Sequence, residues 1–501
     1  MTAPAKQHRS HAASILTAAE LRAIDALGMR RLTADSRAVK RGDTFVAYPG
    51  ESRDGRDFIA QAVAAGASSI LWERRGFKWN AAWRLPNLAL PQLRARAGLV
   101  ASHVYAHPGR RLRMIGITGT NGKTTCSQWI ARALNQRGVR TAVVGTLGYG
   151  LRGALRPLVN TTPDALWLQA QLATFARRGA AAVSMEVSSI GLEQGRVAGV
   201  PFEIAVLTNL TRDHLDYHRT MAKYKAAKAQ LFAVDTLKHV VLNLDDPFGV
   251  ELASSIKRRG LKVIGYGFSD RAALPRRLHK VVGSGLVSGA DGVHFDVSTP
   301  QGHARIASGV LGRHNASNLL ATLAVLLACG MRLHDAVKAL EGLQAVPGRM
   351  QRIGGGRRPL AVIDYAHSPD ALENVLRTLR DLTDGDLWCV FGCGGDRDRG
   401  KRPLMGEAAS RLADRVIVTS DNPRFENPCK IIDEVQRGVR GACTVEPDRR
   451  RAIAAALRGA RRGDVVLIAG KGHEPYQEIR GVRHPFSDLD AARVAMRRAH
   501  A

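Results

Sequence analysis

The chain lacks long uninterrupted apolar runs. Nowhere in its 501 residues does a segment approach the roughly 18 consecutive apolar residues that a membrane-spanning helix needs, which argues against an integral membrane protein. Residues 1–14 are polar and lack the apolar stretch of a secretory signal. We therefore expect a protein of the cytoplasm.

Cysteines are few, and none of the six forms a Cys-x-x-Cys pair. A chain of this length does not need disulfides to stabilise its core. Cys389 and Cys393 flank the end of a probable strand, so we expect them to pack in a core rather than to bind a metal. The remaining cysteines are Cys126, Cys329, Cys429 and Cys443.

Acidic residues are fewer than basic residues: the chain has 44 Asp and Glu and 74 Lys and Arg, which gives a net charge of +30. Such a field attracts polyanions, either nucleic acid or phosphorylated substrates. Aromatic residues make up only 5% of the chain and do not interleave with the arginine runs as stacking platforms for bases would. We therefore expect solvated surface charge and no nucleic-acid partner.

The length favours about three domains. Clusters of glycine, proline and arginine at 107–111 and 346–359 are typical of linkers and predict domains over residues 1–112, 113–346 and 347–501. In the second and third, apolar runs alternate with helical stretches, as in βαβ units with a largely parallel sheet. Predicted strands are 114–117, 141–145, 181–187, 204–208, 240–243, 360–363, 387–391, 415–419 and 465–469, and predicted helices are 123–136, 163–177, 221–232, 315–328, 449–460 and 488–498.

The segment from Ile115 to Thr125 reads Ile-Gly-Ile-Thr-Gly-Thr-Asn-Gly-Lys-Thr-Thr, which predicts a nucleotide phosphate loop. Successive backbone N–H groups and a helix N-terminus would face an anion. Lys123 would reach the terminal phosphates, and the Thr124 hydroxyl would bind magnesium. A standard loop has glycine where this chain has Ile117, and the variant is consistent with the Gly-Thr-Asn-Gly-Lys-Thr form of ATP-dependent amide ligases. The sequence therefore predicts ATP as a substrate.

Two further polar segments follow predicted strands, where ligands collect in open α/β sheets. Glu186 ends one strand and is suited to Mg²⁺, which prefers carboxylate oxygens, although a salt bridge to an arginine would explain it equally well. The next strand is followed by Asp213, His214, Asp216 and His218. This density of titratable groups predicts a role with metal or phosphate.

The order of the motifs is diagnostic in combination. The phosphate loop is followed by Asn160-Thr161-Thr162-Pro163, Glu186-Val187-Ser188-Ser189, Asp213-His214-Leu215-Asp216 and Ala227-Lys228. The chain closely resembles the Mur ligases of peptidoglycan synthesis over nearly its whole length, from Asp35-Ser36-Arg37 to the segment 470–474. The resemblance implies a three-domain α/β fold with a central P-loop-type, mostly parallel sheet and a Rossmann-like C-terminal domain.

The resemblance also implies the reaction. It points to an ATP-dependent amide ligase that activates UDP-N-acetylmuramoyl-L-alanyl-D-glutamate as an acyl phosphate and adds meso-diaminopimelate, as a monomer. Asp421-Asn422-Pro423-Arg424 resembles the motif of diaminopimelate-adding members, whereas lysine-adding relatives typically lack the arginine. A guanidinium can hold the second carboxylate of diaminopimelate through two hydrogen bonds.

Site residues follow from the same resemblance. Magnesium would lie near Thr124, Glu186, His214 and Lys228, the last carrying a carbamate; Lys123, Lys228 and His214 would be catalytic. ATP would bind Gly119, Thr120, Asn121, Gly122, Lys123, Thr124, Thr125, Asn315 and Arg349. The UDP-sugar peptide would bind Ala34, Ser36, Glu51, Ser52, Arg53, Asn160, Thr161, Thr162, Ser188, Gln194 and Arg196. Diaminopimelate would bind Arg397, Asp421, Asn422, Pro423, Arg424, Gly470 and Glu474.

Three alternatives stay open at this point. A lysine-adding Mur ligase and a folylpolyglutamate synthetase would share the loop, although the Asn160–Thr162 and Asp421–Arg424 motifs speak against the second. A nucleic-acid-binding ATPase is suggested only by the charge. No general base is evident, although His214 or the cluster of Asp364, Tyr365 and His367 is placed to assist.

Overall fold

The computed structural model of the protein describes residues 15–51, 53–151, 154–268, 278–289 and 291–499. Ser52 and the polar start of the chain lie outside the described residues. The chain groups into two compact units. The first unit covers the ranges 1–118, 138–205 and 227–238, and the second covers 119–137, 206–226 and 239–501.

The N-terminal part of the first unit is a parallel sheet covered by helices. Its strands β1 to β4 pair in sequence order, and β2 and β3 are buried along their whole length. Thr17 and Glu20 form a reciprocal capping box that starts the first helix. The elements are α1 Ala18–Ala26, β1 Leu32–Thr33, β2 Thr44–Ala47, α2 Ile59–Ala64, β3 Ser69–Glu73, β4 Asn87–Leu90 and α3 Leu93–Val104.

The next segment carries the phosphate loop, between its first strand and helix. The elements are β5 Arg113–Thr118, α4 Lys123–Gln136, β6 Thr141–Gly145, β7 Gly148–Leu151, β8 Ala154–Arg156, α5 Ala165–Arg177, β9 Ala182–Glu186, α6 Ser189–Glu193, β10 Phe202–Leu207, α7 Leu215–His218, α8 Met221–Ala229, β11 His239–Asn243, α9 Pro247–Ser255, β12 Lys262–Gly267, β13 His279–Gly289, β14 Gly292–Thr299, β15 Gly302–Ser308, α10 Arg313–Ala328 and α11 Leu333–Glu341.

Strand pairing in this segment is mixed. In the first unit, β9 lies between β5 and β6 in parallel, and β7 and β8 continue antiparallel. In the second unit, β11, β12 and β13 pair in parallel, and β14 and β15 extend them as an antiparallel meander. The sequence predicted β5, β6, β9, β10 and β11, but it predicted neither β12 and β13 nor the antiparallel strands β7, β8, β14 and β15.

The C-terminal segment is a doubly wound sheet. Its elements are β16 Gln351–Gly354, β17 Leu360–Asp364, α12 Pro369–Arg380, β18 Leu387–Phe391, α13 Lys401–Leu412, β19 Arg415–Val418, α14 Pro428–Gln436, β20 Thr444–Val445, α15 Arg449–Gly459, β21 Val465–Ala469, β22 Tyr476–Ile479, β23 Val482–Pro485 and α16 Asp488–Ala499. The sheet order is β16-β17-β21-β18-β19-β20, and β16 alone is antiparallel.

Successive side chains of each strand lie on opposite faces of the sheet, and this divides the core into two layers. On β21, Val465 and Leu467 pack with α12, α13 and α14, whereas Val466 and Ile468 pack with α15 and α16. Cys389 and Cys393 are buried in the first layer, as expected. Burial raises the pKa of the Cys393 thiol to about 12, which makes it an unreactive core residue.

The predicted fold class is confirmed, since helices cover parallel strands in each segment. Helix 123–136 and strands 141–145, 387–391 and 465–469 have the predicted bounds. The predicted helix 221–232 ends earlier, at Ala229, and continues as a 3-10 turn. The bounds of the three domains stay a prediction. No helix within the described ranges combines the length and apolar character that crossing a bilayer demands.

Candidate active site

The phosphate loop joins β5 to α4 through backbone that requires glycine. Gly119 and Gly122 have φ values of 149° and 84°. A Cβ at Gly122 would lie 2.5 Å from the Asn318 carboxamide oxygen, and one at Gly119 would collide with the Thr208 hydroxyl. Because both positions combine positive φ with close neighbours, only glycine leaves the loop open at the helix N-terminus.

Side chains after β10 hold this loop from one side. The Thr208 hydroxyl donates to the Asn121 carbonyl at 2.5 Å, and the Asn121 N–H donates to the Asn209 carboxamide oxygen at 2.8 Å. The Thr120 hydroxyl donates to the Thr211 carbonyl at 3.1 Å. The loop conformation is therefore fixed by partners that are independent of any nucleotide.

Lys123 and Thr124 open helix α4 at the mouth of the loop. The Lys123 ammonium donates to the carbonyls of Gly119 and Thr120 at 2.9 and 2.8 Å, so it lies over the loop where a phosphate would bind. The Thr124 hydroxyl accepts from Arg349 at 3.3 Å. Arg349 in turn stacks on the Tyr365 ring, 4.2 Å from its centroid.

The other two predicted ATP residues are buried. Thr125 is a buried residue of the first turn of α4. Asn315, in the first turn of α10, donates to the Leu311 carbonyl at 2.9 Å and accepts from Asn318, one turn further on, at 3.3 Å. Asn318 also lies against Gly122. The sequence analysis missed Asn318, although its spacing of three residues from Asn315 places both on one helix face.

His214 belongs to a charged cluster around Asp213. The Asp213 carboxylate is buried and lies 3.5 Å from His214, 3.7 Å from His367 and 4.0 Å from Lys401. Burial alone would raise the pKa of Asp213, but the His367 hydrogen bond and the electrostatic influence of His214, His367 and Lys401 hold it well below its usual range. His214 itself adopts φ 54°, a left-handed backbone conformation that is uncommon for residues other than glycine.

Two predicted magnesium-site residues lie in the first unit, and both are fully buried. Glu186, at the end of β9, accepts from the Thr146 N–H at 2.8 Å and from its hydroxyl at 3.0 Å. Lys228, at the end of α8, is 1% exposed, which is unusual for a lysine. Across the residues that the structure describes, no group of three His, Cys, Asp or Glu side chains forms a metal cage.

Residues predicted for the UDP-sugar peptide form a connected network in the first unit. Glu51 accepts from Gln194 and, at 3.3 Å, from Arg94. Gln194 accepts from Arg196 at 2.8 Å, and Arg196 donates to the Thr162 carbonyl at 2.8 Å. These contacts join Glu51, Gln194, Arg196 and Thr162 in one network. The network also contains Arg94, which the sequence analysis missed.

Other members of this predicted set differ in their surroundings. The Thr162 hydroxyl accepts from the Ser188 N–H at 2.9 Å, and the Thr161 hydroxyl lies 3.0 Å from that of Thr146. Ser36 is buried and donates to Gln61 at 2.9 Å. Ala34 borders the N-terminal core, whereas Asn160 and Arg53 are exposed.

Residues predicted for the incoming amino acid meet at the carboxyl end of β21 and β19. Asn422 donates to Glu474 at 2.7 Å, and Arg424 donates to the Gly395 carbonyl at 2.6 Å. Gly394 lies beneath Arg424, since a Cβ there would be 2.9 Å from the guanidinium. Pro423 is buried beside them, Arg397 is exposed on the neighbouring loop, and Asp421 and Gly470 are in contact at the base.

A hairpin that the sequence did not predict holds Arg424. Strands β22 and β23 pair antiparallel, and the Arg424 N–H donates to the Glu478 carbonyl at 3.0 Å. The Arg480 N–H donates back to the Arg424 carbonyl at 2.6 Å. Arg424 has φ 50°, so the hairpin stabilises a backbone conformation that is uncommon for arginine.

Family comparisons cover all three segments of the chain. Models described as Mur ligase family, catalytic domain, as Mur ligase middle domain, and as Mur ligase, glutamate ligase domain match residues 29–105, 117–326 and 348–472. The chain belongs to the Mur ligase family. The expectation of an ATP-dependent ligase of this family is thereby confirmed.

Three relatives of this Mur ligase share the same name. The UDP-N-acetylmuramoyl-L-alanyl-D-glutamate--2,6-diaminopimelate ligase of Nitrosomonas europaea is 50% identical over 98% of this chain and 96% of its own. That of Chromobacterium violaceum is 50% identical over 94% of each. A solved structure of a ligase with the same name matches with a TM-score of 0.66 and 40% identity, over 94% of this chain and 96% of its own.

Proposed function

We propose that this Mur ligase joins meso-diaminopimelate to the D-glutamate of UDP-N-acetylmuramoyl-L-alanyl-D-glutamate and releases ADP and phosphate. It would do so as a monomer in the cytoplasm, as a step of peptidoglycan precursor synthesis. The relatives that are 50% identical over nearly the full chain bear the name of this reaction. Their names support the reaction, and the arrangement of side chains supports how this chain performs it.

The observation that carries the proposal is the paired charge of the acceptor pocket. Arg424 is held by the Gly395 carbonyl, and Asn422, two residues earlier, holds the Glu474 carboxylate. The distal centre of diaminopimelate has one carboxylate and one ammonium, which match a guanidinium and a carboxylate. Lysine has an ammonium but no second carboxylate, so it would leave Arg424 without a partner from the substrate.

The first chemical step is phosphoryl transfer from ATP to the substrate carboxylate. Lys123 and the loop N–H groups would stabilise the charge that develops on the transferring phosphoryl group. Arg349 and the Tyr365 ring beneath it would bind the nucleotide from the third segment, and Asn315 would orient the adenine side. These groups position reactants and offset charge, so no general base is required for the transfer.

The residues predicted for magnesium would hold an ion that supplies positive charge against the phosphate oxygens. The chemistry of the donor set fits this ion, because Thr124 offers a hydroxyl and Glu186 a buried carboxylate. We propose that Lys228 contributes a carbamate, whose anionic oxygens suit Mg²⁺ better than the ammonium does. We propose that His214 lies near the ion without being a direct ligand, since Mg²⁺ prefers oxygen.

The second step is attack of the acceptor amine on the acyl phosphate. Arg424, Glu474 and Asn422 would fix the distal end of diaminopimelate, which orients its reacting amine towards the activated carbonyl. Phosphate then leaves from the tetrahedral intermediate. We propose that neutral His367 accepts the proton that the amine releases, and that the Asp213 carboxylate, 3.7 Å away, stabilises the resulting imidazolium.

An ATP-dependent coupling assay tests the proposal. Purified protein receives UDP-N-acetylmuramoyl-L-alanyl-D-glutamate, ATP and Mg²⁺ with either diaminopimelate or lysine, and ADP and product mass are measured. We expect coupling of diaminopimelate. Arg424→Lys should raise the KM for diaminopimelate roughly 10- to 150-fold, because the loss of a charge-assisted pair of hydrogen bonds costs about 1.5–3 kcal/mol. The KM for ATP should stay unchanged.

Each alternative function has its own outcome in the same assay. Preference for lysine would indicate a lysine-adding Mur ligase. Activity with folate and glutamate, but not with the muramoyl dipeptide, would indicate a folylpolyglutamate synthetase. ATP hydrolysis stimulated by DNA or RNA alone would indicate a nucleic-acid-dependent ATPase.

A further inference from the structure

A completely buried lysine lies beneath the acceptor pocket. Lys471 follows β21 by two residues, and its side chain is 0% exposed. Its ammonium donates to the Asn422 carboxamide oxygen at 2.9 Å and to Glu474 at 3.1 Å. Asp421 lies 3.9 Å away, and the Tyr476 ring centroid lies 5.7 Å away.

The partners of Lys471 are the residues that would hold the acceptor. One oxygen of Glu474 accepts from both Lys471 and Asn422, and the other accepts from the Tyr365 hydroxyl at 3.4 Å. The Asn422 carboxamide oxygen also accepts from the Glu478 N–H at 2.9 Å. A buried ammonium with such partners fixes the direction of the Glu474 carboxylate before any substrate binds.

Lys471 also contributes to the charge of the pocket. Its ammonium faces two carboxylates, Glu474 at 3.1 Å and Asp421 at 3.9 Å, so its loss would make the pocket one unit more negative. Diaminopimelate carries two ammonium and two carboxylate groups and is neutral overall, whereas lysine carries a net positive charge.

We propose that Lys471 is a specificity-determining positioning residue. It orients Glu474 and Asn422 and offsets the charge of Glu474 and Asp421, so that an amino acid with no net charge is preferred over a cationic one. Without its charge the pocket would be one unit more negative, which favours a cationic acceptor. This inference rests on the proposed reaction, since it concerns the choice of acceptor at the same site.

Substitution of Lys471 tests this inference through a ratio. We expect Lys471→Met to lower the kcat/KM for diaminopimelate at least tenfold relative to that for lysine. The change should lie mainly in KM, with the KM for ATP unchanged. Lys471→Gln keeps a hydrogen-bond donor without the charge, and should retain more diaminopimelate affinity than Lys471→Met while losing discrimination.

Arg449→Met is the matched control. Arg449 is a second completely buried cation of the same segment, but it pairs with Asp488 at 2.7 Å. Its loss should lower the melting temperature and change the ratio between the two acceptors less than Lys471→Met does, because Asp488 is its direct partner. An unchanged ratio in a folded Lys471→Met or Lys471→Gln protein would overturn the inference, as would an equal change in Arg449→Met. Failure of the wild type to couple diaminopimelate would instead refute the proposed function itself.

Discussion

Gly470 belongs to the residues proposed to bind the acceptor, and its backbone conformation disfavours any other residue. Its substitution by alanine therefore gives a specific prediction. It has φ 113°, and a Cβ there would lie 2.5 Å from an Asp421 carboxylate oxygen. An L-residue in such backbone costs on the order of 1–3 kcal/mol, and forcing an added methyl into a packed site costs about as much again. The carboxylate must move by about 1 Å to restore an ordinary contact.

Displacement of Asp421 disturbs the loop that carries Asn422 and Arg424. Because misplacement of a binding group by about 1 Å can change rates by about 100-fold, we expect Gly470→Ala to raise the KM for diaminopimelate by about 10- to 100-fold. The KM for ATP should stay within twofold or so of wild type. Steady-state coupling kinetics with each substrate varied in turn would measure both values.

Gly463→Ala separates backbone strain from the clash. Gly463 also has positive φ, 90°, but the nearest atoms to an added Cβ are 3.9 Å away. Its variant should lose about 1–3 kcal/mol of stability with an unchanged KM for diaminopimelate. An unchanged KM in Gly470→Ala, or an equal rise in both variants, would refute the reasoning.

Three other perturbations test separate parts of the structure. Lys123→Ala should reduce coupling by at least about 100-fold while circular dichroism and melting temperature stay close to wild type, since the lysine offsets charge in the transition state; normal turnover would contradict the phosphate-loop assignment. Lys228→Ala should be inactive and regain part of its activity with added short-chain carboxylates, and the lack of any rescue would argue against a carbamate. The Arg399 and Arg402 contacts, opposed by burial, hold the pKa of Glu434 at about 2, below the ordinary 4.5. Because the unfolded chain binds the proton more tightly, the stabilisation is present above about pH 4.5 and is lost as the pH falls towards 2, so the melting temperature of Glu434→Gln should lie below wild type at pH 7 and converge with it in acid.

The parallel core was readable because its strands are apolar runs. Strand β21 is buried at every position, and such a run next to glycine-rich turns is typical of a central parallel strand. Strands β13 and β23 gave no such signal. Most residues of β13 are exposed or half-buried, and β23 is exposed throughout, so their sequences carry no hydrophobic period. The hairpin turn at Arg480 and Gly481 has positive φ at both residues but lacks the Asn-Gly or Asp-Gly signature.

The same distinction applies to the candidate site. The phosphate loop was predicted because its glycines and the start of helix α4 form one continuous segment of the sequence. The contact of Asn121 with Asp370, at 3.1 Å, joins residues far apart in sequence and could not be predicted. Lys471 stood within a recognised motif, yet nothing in the sequence indicates that its ammonium is buried. Partners across the fold decide that, and only the three-dimensional arrangement reveals them.

The contacts of the arginines distinguish those suited to bind substrate from those that stabilise the fold. Arg402 and Arg449, which lie in the core, are matched at 2.7 Å by carboxylates of Glu426, Glu434 and Asp488. Their charge is neutralised within the protein, which suits a structural role. Arg424 is instead held at 2.6 Å by a neutral carbonyl, with Glu478 only at 4.0 Å. Arg349 is similarly positioned by a hydroxyl and an aromatic ring. Neutral partners fix a guanidinium in place without neutralising its charge, and the charge stays available for an anionic group of the substrate.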